Sequence, residues 1–415
     1  MPHCNKQMIS FFPTTKCNLR CVYCYNSKER AEIGEHSLDI EEAEAAINEY
    51  FKDECGSFNI ELKEPHKRHI RFYGPGEATE AEGFLLMEQI VILSKRKAKV
   101  AGYELITELQ TNGAFNNEVR EWILDNINLL WISFDGTPDI HNKQRPMLDY
   151  IDENGDDKTK DSSDIIEENI KLLLEKKDNR ILEMVGLRST ITKDSVYHQK
   201  EMIDHYEKLG IKYIWCDPEF PAVDKEPVKK DTEKYAKYDF DLEAYVEQYI
   251  KAYQYAKTKG IFYGSFLTCN FDAETTLNCR CCLPVPHITP DGYVSACDLV
   301  VLGEKANHMQ YFIYGKWDKE NGIFVNFEKE KKALKDRNVD NIEKFPVCQK
   351  CKVKLHCAGY CPGEVVNETG DLYERLHEGK RNVCKAINKL YDELYDEIKK
   401  DLGKEKDGLY PYPHP

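Results

Sequence analysis

Along the first half of the chain, short apolar runs alternate with longer stretches in which apolar residues recur every three or four positions. The runs at 8–13, 69–73, 104–110, 129–134, 183–191 and 211–216 read as strands. Between them, 38–51, 81–94, 116–125, 165–175 and 196–209 carry the helical period, with Ser37 placed to cap the first. Six β-then-α units in series predict an α/β fold with a parallel sheet and crossover helices. That number suits a partial (β/α)6 TIM barrel better than a closed eightfold one. Chemistry in such folds gathers at the C-terminal ends of the strands, so the loops there carry the most weight.

The pattern then breaks. Residues 149–168 are dense in Asp, Glu, Lys and Ser and read as a solvated insertion. Residues 218–239 are rich in Pro and Lys and mark a domain boundary, after which helical patterns return at 242–258 and 386–402. The expected division is a barrel over 1–239, a linker helix region over 240–270, a cysteine-rich domain over 271–402 and a flexible tail over 403–415. No internal repeat is visible.

Composition narrows the function. With 41% hydrophobic residues in 415, the chain has material for a sizeable core. Lys plus Arg number 58 against 73 Asp plus Glu, a net charge of −15, which disfavours nucleic acid as a partner. Mean hydropathy is −0.62 and no long apolar run exists, so no membrane span is expected. The first residues lack the apolar core of a signal peptide, which makes cytoplasmic the expected location. Sixteen cysteines are then the anomaly, and in a reducing compartment their spacing argues for metal.

Cys17, Cys21 and Cys24 form C-x-x-x-C-x-x-C directly after the first strand. Three thiolates from one tight loop can hold three irons of a cubane and leave the fourth iron open for a cofactor. A zinc site completed by His3 or Cys4 would satisfy the same spacing.

In this triplet, with aromatic Tyr23 before its last cysteine, the sequence resembles the radical S-adenosylmethionine (SAM) superfamily. The resemblance implies that the open iron chelates SAM, whose reductive cleavage yields a 5′-deoxyadenosyl radical that abstracts hydrogen from substrate. It also assigns the strand ends. Phe72-Tyr73-Gly74-Pro75-Gly76-Glu77 stands where the family has a Gly-Gly-Glu motif for the SAM amino group, with Pro75 in place of the first glycine. Thr111-Asn112-Gly113 would line the ribose, and Ser133-Phe134-Asp135-Gly136 matches a fourth-strand signature in which Ser133 and Asp135 approach the cofactor. Arg145 or Arg188 would pair with the SAM carboxylate. Each short motif alone is a common turn; their recurrence at successive strand ends is the signal.

Most of the cysteines fall between Cys279 and the C-terminus. Cys282, Gly292 and Cys297 are followed by Cys348-x2-Cys351-x5-Cys357-x3-Cys361 and Cys384. This series is similar to the SPASM domain, an extension that holds two auxiliary iron–sulfur clusters. Carried over by position, Cys282, Cys297 and Cys361 serve the first, with Cys279 favoured over Cys281 as fourth ligand unless a substrate thiolate takes that place. Cys348, Cys351, Cys357 and Cys384 serve the second, giving three 4Fe–4S clusters with the barrel site. A zinc ribbon from Cys348, Cys351, Cys357 and Cys361 is the alternative. Cys4, Cys55, Cys216 and Cys269 read as plain thiols, with Cys216 the exception to watch, because it closes the sixth strand in a place to face the cavity. His287, His308 and His356 read as structural.

Asp298 follows Cys297, where sulfatase-maturing relatives place a proton-accepting aspartate; its bland alternative is a turn residue. The resemblance implies a peptide- or protein-modifying enzyme, supplied with electrons by a flavodoxin- or ferredoxin-type donor. It would form thioether or carbon–carbon crosslinks in a ribosomal peptide, or oxidise Cys or Ser to formylglycine, or dehydrogenate a small molecule. Many peptide maturases of the group carry an N-terminal leader-binding domain; only sixteen residues precede Cys17, so none is expected.

Overall fold

The computed structural model describes residues 8–24, 34–58, 66–151, 157–221, 223, 227, 240–271, 274–279, 283–377 and 382–402. Strands β1 (Met8–Phe11), β2 (Lys67–Phe72), β3 (Glu104–Thr111) and β4 (Leu129–Ser133) pair in parallel. Helices α1 (Ile40–Tyr50), α2 (Ala81–Ala101) and α3 (Asn117–Asn126) connect them. After β4 come a short helix α4 (Pro138–Gln144), an antiparallel hairpin of β5 (Met147–Ile151) and β6 (Asp157–Lys160), and α5 (Ser163–Lys176). The parallel series resumes with β7 (Met184–Ile191), α6 (Gln199–Lys208), β8 (Tyr213–Pro218), α7 (Leu242–Thr258) and the short β9 (Phe262–Gly264).

The six strands read from the sequence are therefore β1, β2, β3, β4, β7 and β8. Their apolar residues alternate outward onto the helices: Ile9 and Phe11, Ile70 and Phe72, Leu109, Leu130 and Ile132 are all buried there. The described residues of the acidic stretch near Asp149 include strand and helix where its composition implies only a solvated insertion. Its β5–β6 hairpin is tied to the cysteine loop by a bridge between Leu19 and Met147 and an ion pair between Arg20 and Asp157. Ser37 does not cap α1: it still bridges Thr14 in extended backbone, and Asp39 accepts from Glu41 N at 2.8 Å instead.

The cysteine-rich segment continues the same sheet. β10 (His287–Ile288) adds in parallel to β1, and β11 (Tyr293–Ser295), β12 (Ile313–Asp318) and β13 (Ile323–Asn326) follow antiparallel. Among the described residues the sheet has 11 strands in the order β13-β12-β11-β10-β1-β2-β3-β4-β7-β8-β9. Helices α8 (Glu328–Asp336), α9 (Pro362–Thr369) and α10 (Val383–Leu402) cover the extension, α10 packing on α7. No described helix is long and apolar enough to cross a membrane.

The strand register sets one polar rung beneath the site. Ser295, His287, Ser10, Arg71 and Glu108 are successive partners across β11, β10, β1, β2 and β3, so their side chains share the inner face.

Candidate active site

A cavity of about 390 Å³ lies over the C-terminal ends of the parallel strands. Cys17, Cys21 and Cys24 line one part of it and Cys279, Cys297 and Cys361 another. The loop after β1 is held by its own turn, Cys24 N donating to Cys21 O at 3.1 Å, and by Arg20 Nη1 on the Cys17 carbonyl at 2.7 Å. Leu19 N and Asn112 Nδ2 point at the Cys17 sulfur, at 3.4 and 3.8 Å. Burial pushes the Cys21 thiol up to about 12, Arg145 opposes this, and Cys24 and Cys17 add to it. Thiols that hinder one another's ionisation suit a polynuclear cation that takes them as thiolates. Among the described residues no three His, Cys, Asp or Glu close on one point as a single ion requires. A cubane spreads its ligands over separate corners, so grouping is the relevant test, and these three meet it.

Gly76 and Glu77 bring the β2 loop against the cysteines. A Cβ on Gly76 would lie 2.3 Å from Thr14 O and 2.4 Å from Lys16 O, so only glycine allows the contact. Glu77 N donates to Lys16 O at 2.7 Å. The buried Glu77 carboxylate accepts at Oε1 from Thr79 N (3.0 Å), Thr79 Oγ1 (2.7 Å) and Thr111 Oγ1 (2.7 Å), and at Oε2 from Asn112 N (2.6 Å). Burial raises its pKa and these bonds pull it back. Oε1 accepts three hydrogen bonds and Oε2 only one, so Oε2 is the oxygen that keeps capacity for a ligand ammonium. Glu77 thus also stitches the β2 and β3 loops together, a structural role the motif did not disclose.

Asp135 and Arg145 face each other before they face any ligand. Asp135, fully buried, accepts from Arg145 Nε at 2.9 Å, from Thr190 N at 2.9 Å and from the Tyr23 hydroxyl. Arg145 also lies over the Tyr23 ring and reaches the Cys21 sulfur at 3.8 Å. Both arginines considered for a carboxylate line the cavity; among the described residues Arg145 is bonded to one and Arg188 is not, though its charge favours ionised Asp217. Arg188 hydrogen-bonds Gln110 and lies 5.9 and 5.8 Å from the Trp131 and Trp215 rings. Ser133 lines the same wall.

Asp298 also lines the cavity and is about 29% exposed there. Arg71 from the polar rung pairs with it, and His287 Nε2 stands 2.9 Å from its Oδ1, out of hydrogen-bonding alignment. His287 is thus part of the cavity wall, while His308 and His356 bond Asn367 and the Asn270 carbonyl. Sequence reasoning missed Arg71 and Asp217. Asp217 lines the cavity and accepts from Trp215 Nε1 (2.7 Å), Phe266 N (2.9 Å) and Ser265 Oγ (3.0 Å), with burial raising its pKa. Strand alternation was the available signal: with Cys216 turned outward onto the Tyr263 hydroxyl at 3.0 Å, its neighbour must face in. Cys269, read as a plain thiol, lines the cavity as well.

The C-terminal cysteines form two groups. A Cβ on Gly363 would lie 2.8 Å from Cys297 Sγ and 3.8 Å from Cys361 Sγ, and Cys297 is pushed up by burial and then by Cys361 and Cys279. Cys281 and Cys282 lie outside the described residues, as do His3 and Cys4. Cys348, Cys351, Cys357 and Cys384 line a second cavity of about 330 Å³. There burial, then Cys384 and Cys348, push the Cys357 thiol up to about 12. The structure thus separates Cys361 from the Cys348 group despite their nearness in sequence.

No family model matches the chain. A cysteine-type anaerobic sulfatase-maturating enzyme of Clostridium novyi (strain NT) is 25% identical over 307 residues, covering 70% of this chain and 73% of the relative. Among solved structures, native anSMEcpe with bound AdoMet and Cp18Cys peptide aligns with a TM-score of 0.67 at 16% identity, over 95% of this chain and 99% of that one. Streptococcus suis SuiB bound to precursor peptide SuiA aligns with a TM-score of 0.54 at 14% identity, over 90% of this chain and 75% of that one. These likenesses meet a chain whose own cysteine spacings and strand-end residues point the same way: it shares the fold of these solved structures and is similar in sequence to a sulfatase-maturating enzyme.

Proposed function

We propose that this enzyme oxidises a cysteine or serine side chain of a peptide or protein to formylglycine. The observation that carries the reading is Asp298, placed beside Cys297 in the same cavity as Cys17, Cys21, Cys24 and Glu77. Cys17, Cys21 and Cys24 would hold the cluster that binds SAM; Cys279, Cys282, Cys297 and Cys361, and Cys348, Cys351, Cys357 and Cys384, would hold two more. When bound, these groups would supply hydrogen-atom abstraction, started by one electron from a flavodoxin- or ferredoxin-type donor, and a sink for the electron that substrate oxidation releases.

What remains for the chain's own side chains is binding, shielding and the proton. Glu77 Oε2 and Arg188 offer an acceptor and a cation for the two ends of an amino-acid moiety. Tyr73, Trp215, Phe220 and Phe266 supply apolar wall that excludes water. Asp298 takes the proton from the substrate thiol or hydroxyl, and Arg71 and His287 fix its carboxylate. The likeness to a sulfatase-maturating relative and to a neighbour holding a cysteine peptide supports this reading. The likeness to SuiB with its precursor peptide supports the second, a crosslink within a ribosomal peptide.

The test is anaerobic. Reconstituted enzyme, reductant and SAM are incubated with a cysteine-containing sulfatase-type peptide, and 5′-deoxyadenosine and peptide aldehyde are measured. Aldehyde captured by a hydrazide supports formylglycine formation. Hydrogen loss without aldehyde moves the assignment to a crosslink, and turnover of free alcohols or amino sugars alone to a small-molecule dehydrogenase.

A further inference from the structure

Two arginines are buried beside the second cysteine group, and neither forms an ion pair with a carboxylate among the described residues. Arg337, 1% exposed, is satisfied by carbonyls: Nε on Leu372 O at 3.0 Å, Nη1 on Tyr360 O at 3.1 Å and Nη2 on Gly359 O at 3.1 Å. Arg375, 4% exposed, differs. Its Nη1 donates to Glu374 O, but Nε and Nη2 find no acceptor among the described residues. The guanidinium lies 3.6 Å from the Phe345 ring centroid and lines the same cavity as Cys348, Cys351, Cys357 and Cys384. Gly359, at φ 81°, makes room: a Cβ there would stand 2.9 Å from Arg375 Nη2.

A buried cation with orphaned N–H donors is costly unless an anion meets it. Its neighbour Arg337 adds like charge, and the groups that offset this are the Cys348 and Cys357 sulfurs beside it. The group that answers both needs is a net-anionic cluster in the cavity, whose sulfurs accept hydrogen bonds. Resting on the reading that these four cysteines hold such a cluster, we propose that Arg375 is a positioning residue that donates Nε–H and Nη2–H to the cluster's sulfurs and raises its reduction potential. Reduction adds negative charge, which a fixed cation at hydrogen-bond range favours. The cluster outside the substrate cavity thereby becomes the favoured resting place for the electron that substrate oxidation releases.

The experiment uses anaerobically reconstituted holoenzyme, with iron and sulfide counted and the second auxiliary cluster titrated electrochemically by electron paramagnetic resonance. Arg375→Gln is expected to keep its iron while the oxidised-to-reduced ratio at fixed poise rises about tenfold, a potential about 59 mV lower for a one-electron couple. Arg375→Lys, which keeps the charge, should stay within about threefold of wild type. A glutamine variant with full iron and an unchanged ratio overturns the proposal, as does a lysine variant that shifts as far as the glutamine one. If the glutamine variant loses the cluster, the lysine variant decides: a retained cluster at wild-type ratio supports the role, and a lost one overturns it. Failure of the underlying reading looks different, because Cys348→Ala would then leave the iron count unchanged.

Discussion

His287 Nε2 stands 2.9 Å from Asp298 Oδ1, while Nδ1 of the same ring faces two carbonyls, Val285 O at 2.8 Å and Ser295 O at 3.1 Å. Those carbonyls can only accept, which assigns a hydrogen to Nδ1 and sets the Nε2 edge of the ring against the Asp298 carboxylate. Asp298→Asn should therefore retain SAM cleavage and lose about a hundredfold or more of product formation. His287→Gln should lose less product but uncouple the reaction, releasing 5′-deoxyadenosine without oxidised peptide. Product and nucleoside are measured in the same reaction with iron content as control. Product formation by Asp298→Asn at the wild-type rate would remove the base role.

The pair of Asp135 with Arg145 makes a different demand. Asp135→Asn leaves the Arg145 guanidinium buried with a neutral partner and weakens the acceptor for Tyr23 and Thr190 N. Breaking a buried ion pair from one side costs about 3–5 kcal/mol. Denaturant unfolding should show a loss of that order, with iron release from the first cluster preceding global unfolding because Arg145 touches Cys21. Unchanged stability would show that Asp135 is held for the ligand instead.

Glu77 calls for a conservative test, because its carboxylate has structural partners. Glu77→Gln keeps an acceptor for some of the Thr79, Thr111 and Asn112 donors and turns an amide donor toward the rest. A loss of about 1–3 kcal/mol in stability is expected, with iron retained and SAM cleavage abolished. Equilibrium dialysis with SAM separates failed binding from failed cleavage. Undiminished cleavage would leave Glu77 with its loop-tying role alone.

At Gly76 the obstacle is backbone on both sides. Alanine there would drive Cβ into Thr14 O and Lys16 O, neither of which can swing aside as a side chain can. The cysteine loop must move, so, on the proposal that Cys17, Cys21 and Cys24 hold one cluster and the C-terminal cysteines two more, Gly76→Ala should lose about four irons per chain and keep the rest. Iron analysis before and after chelation reads this directly.

The barrel strands were legible because each is a short apolar run ending at a polar motif, and β1, β2, β3, β4, β7 and β8 stand within about two residues of where periodicity puts them. The addition of β10 to β1 was not legible: His287 and Ile288 are two residues, too few for a pattern, and their place is set by pairing with Ser10 and Phe11, 277 positions away in the chain. The same distance hid the polar rung. Arg71 reads as one charge in Lys67–Phe72, and only the register with Ser10 and the approach of Asp298 show what it holds. Cysteine spacing pointed to two C-terminal sets, and the described cysteines there line two separate cavities. The buried arginines beside the second group have no such spacing, since an orphaned donor exists only in three dimensions.

Glu42 gives the pH dependence a sign. It is half-buried on α1 under the β10–β11 turn, where burial, then Asp39 and Asp291, raise its pKa from 4.5 to about 7, opposed by Lys319. Between those values the folded state keeps a proton that the unfolded chain releases, so stability falls as pH rises through that window and the loss is complete above it. The full shift corresponds to roughly 3 kcal/mol, which solvent screening of a part-exposed group reduces to about 1 kcal/mol. Glu42→Gln removes the charge and should stabilise by that amount at pH 8, with the advantage vanishing toward pH 4.5. Parallel urea titrations at the two pH values check it. An advantage that is equal at both would trace instead to packing of the amide against the turn at Gly292, whose Cβ position lies 2.6 Å from Glu42 Oε1.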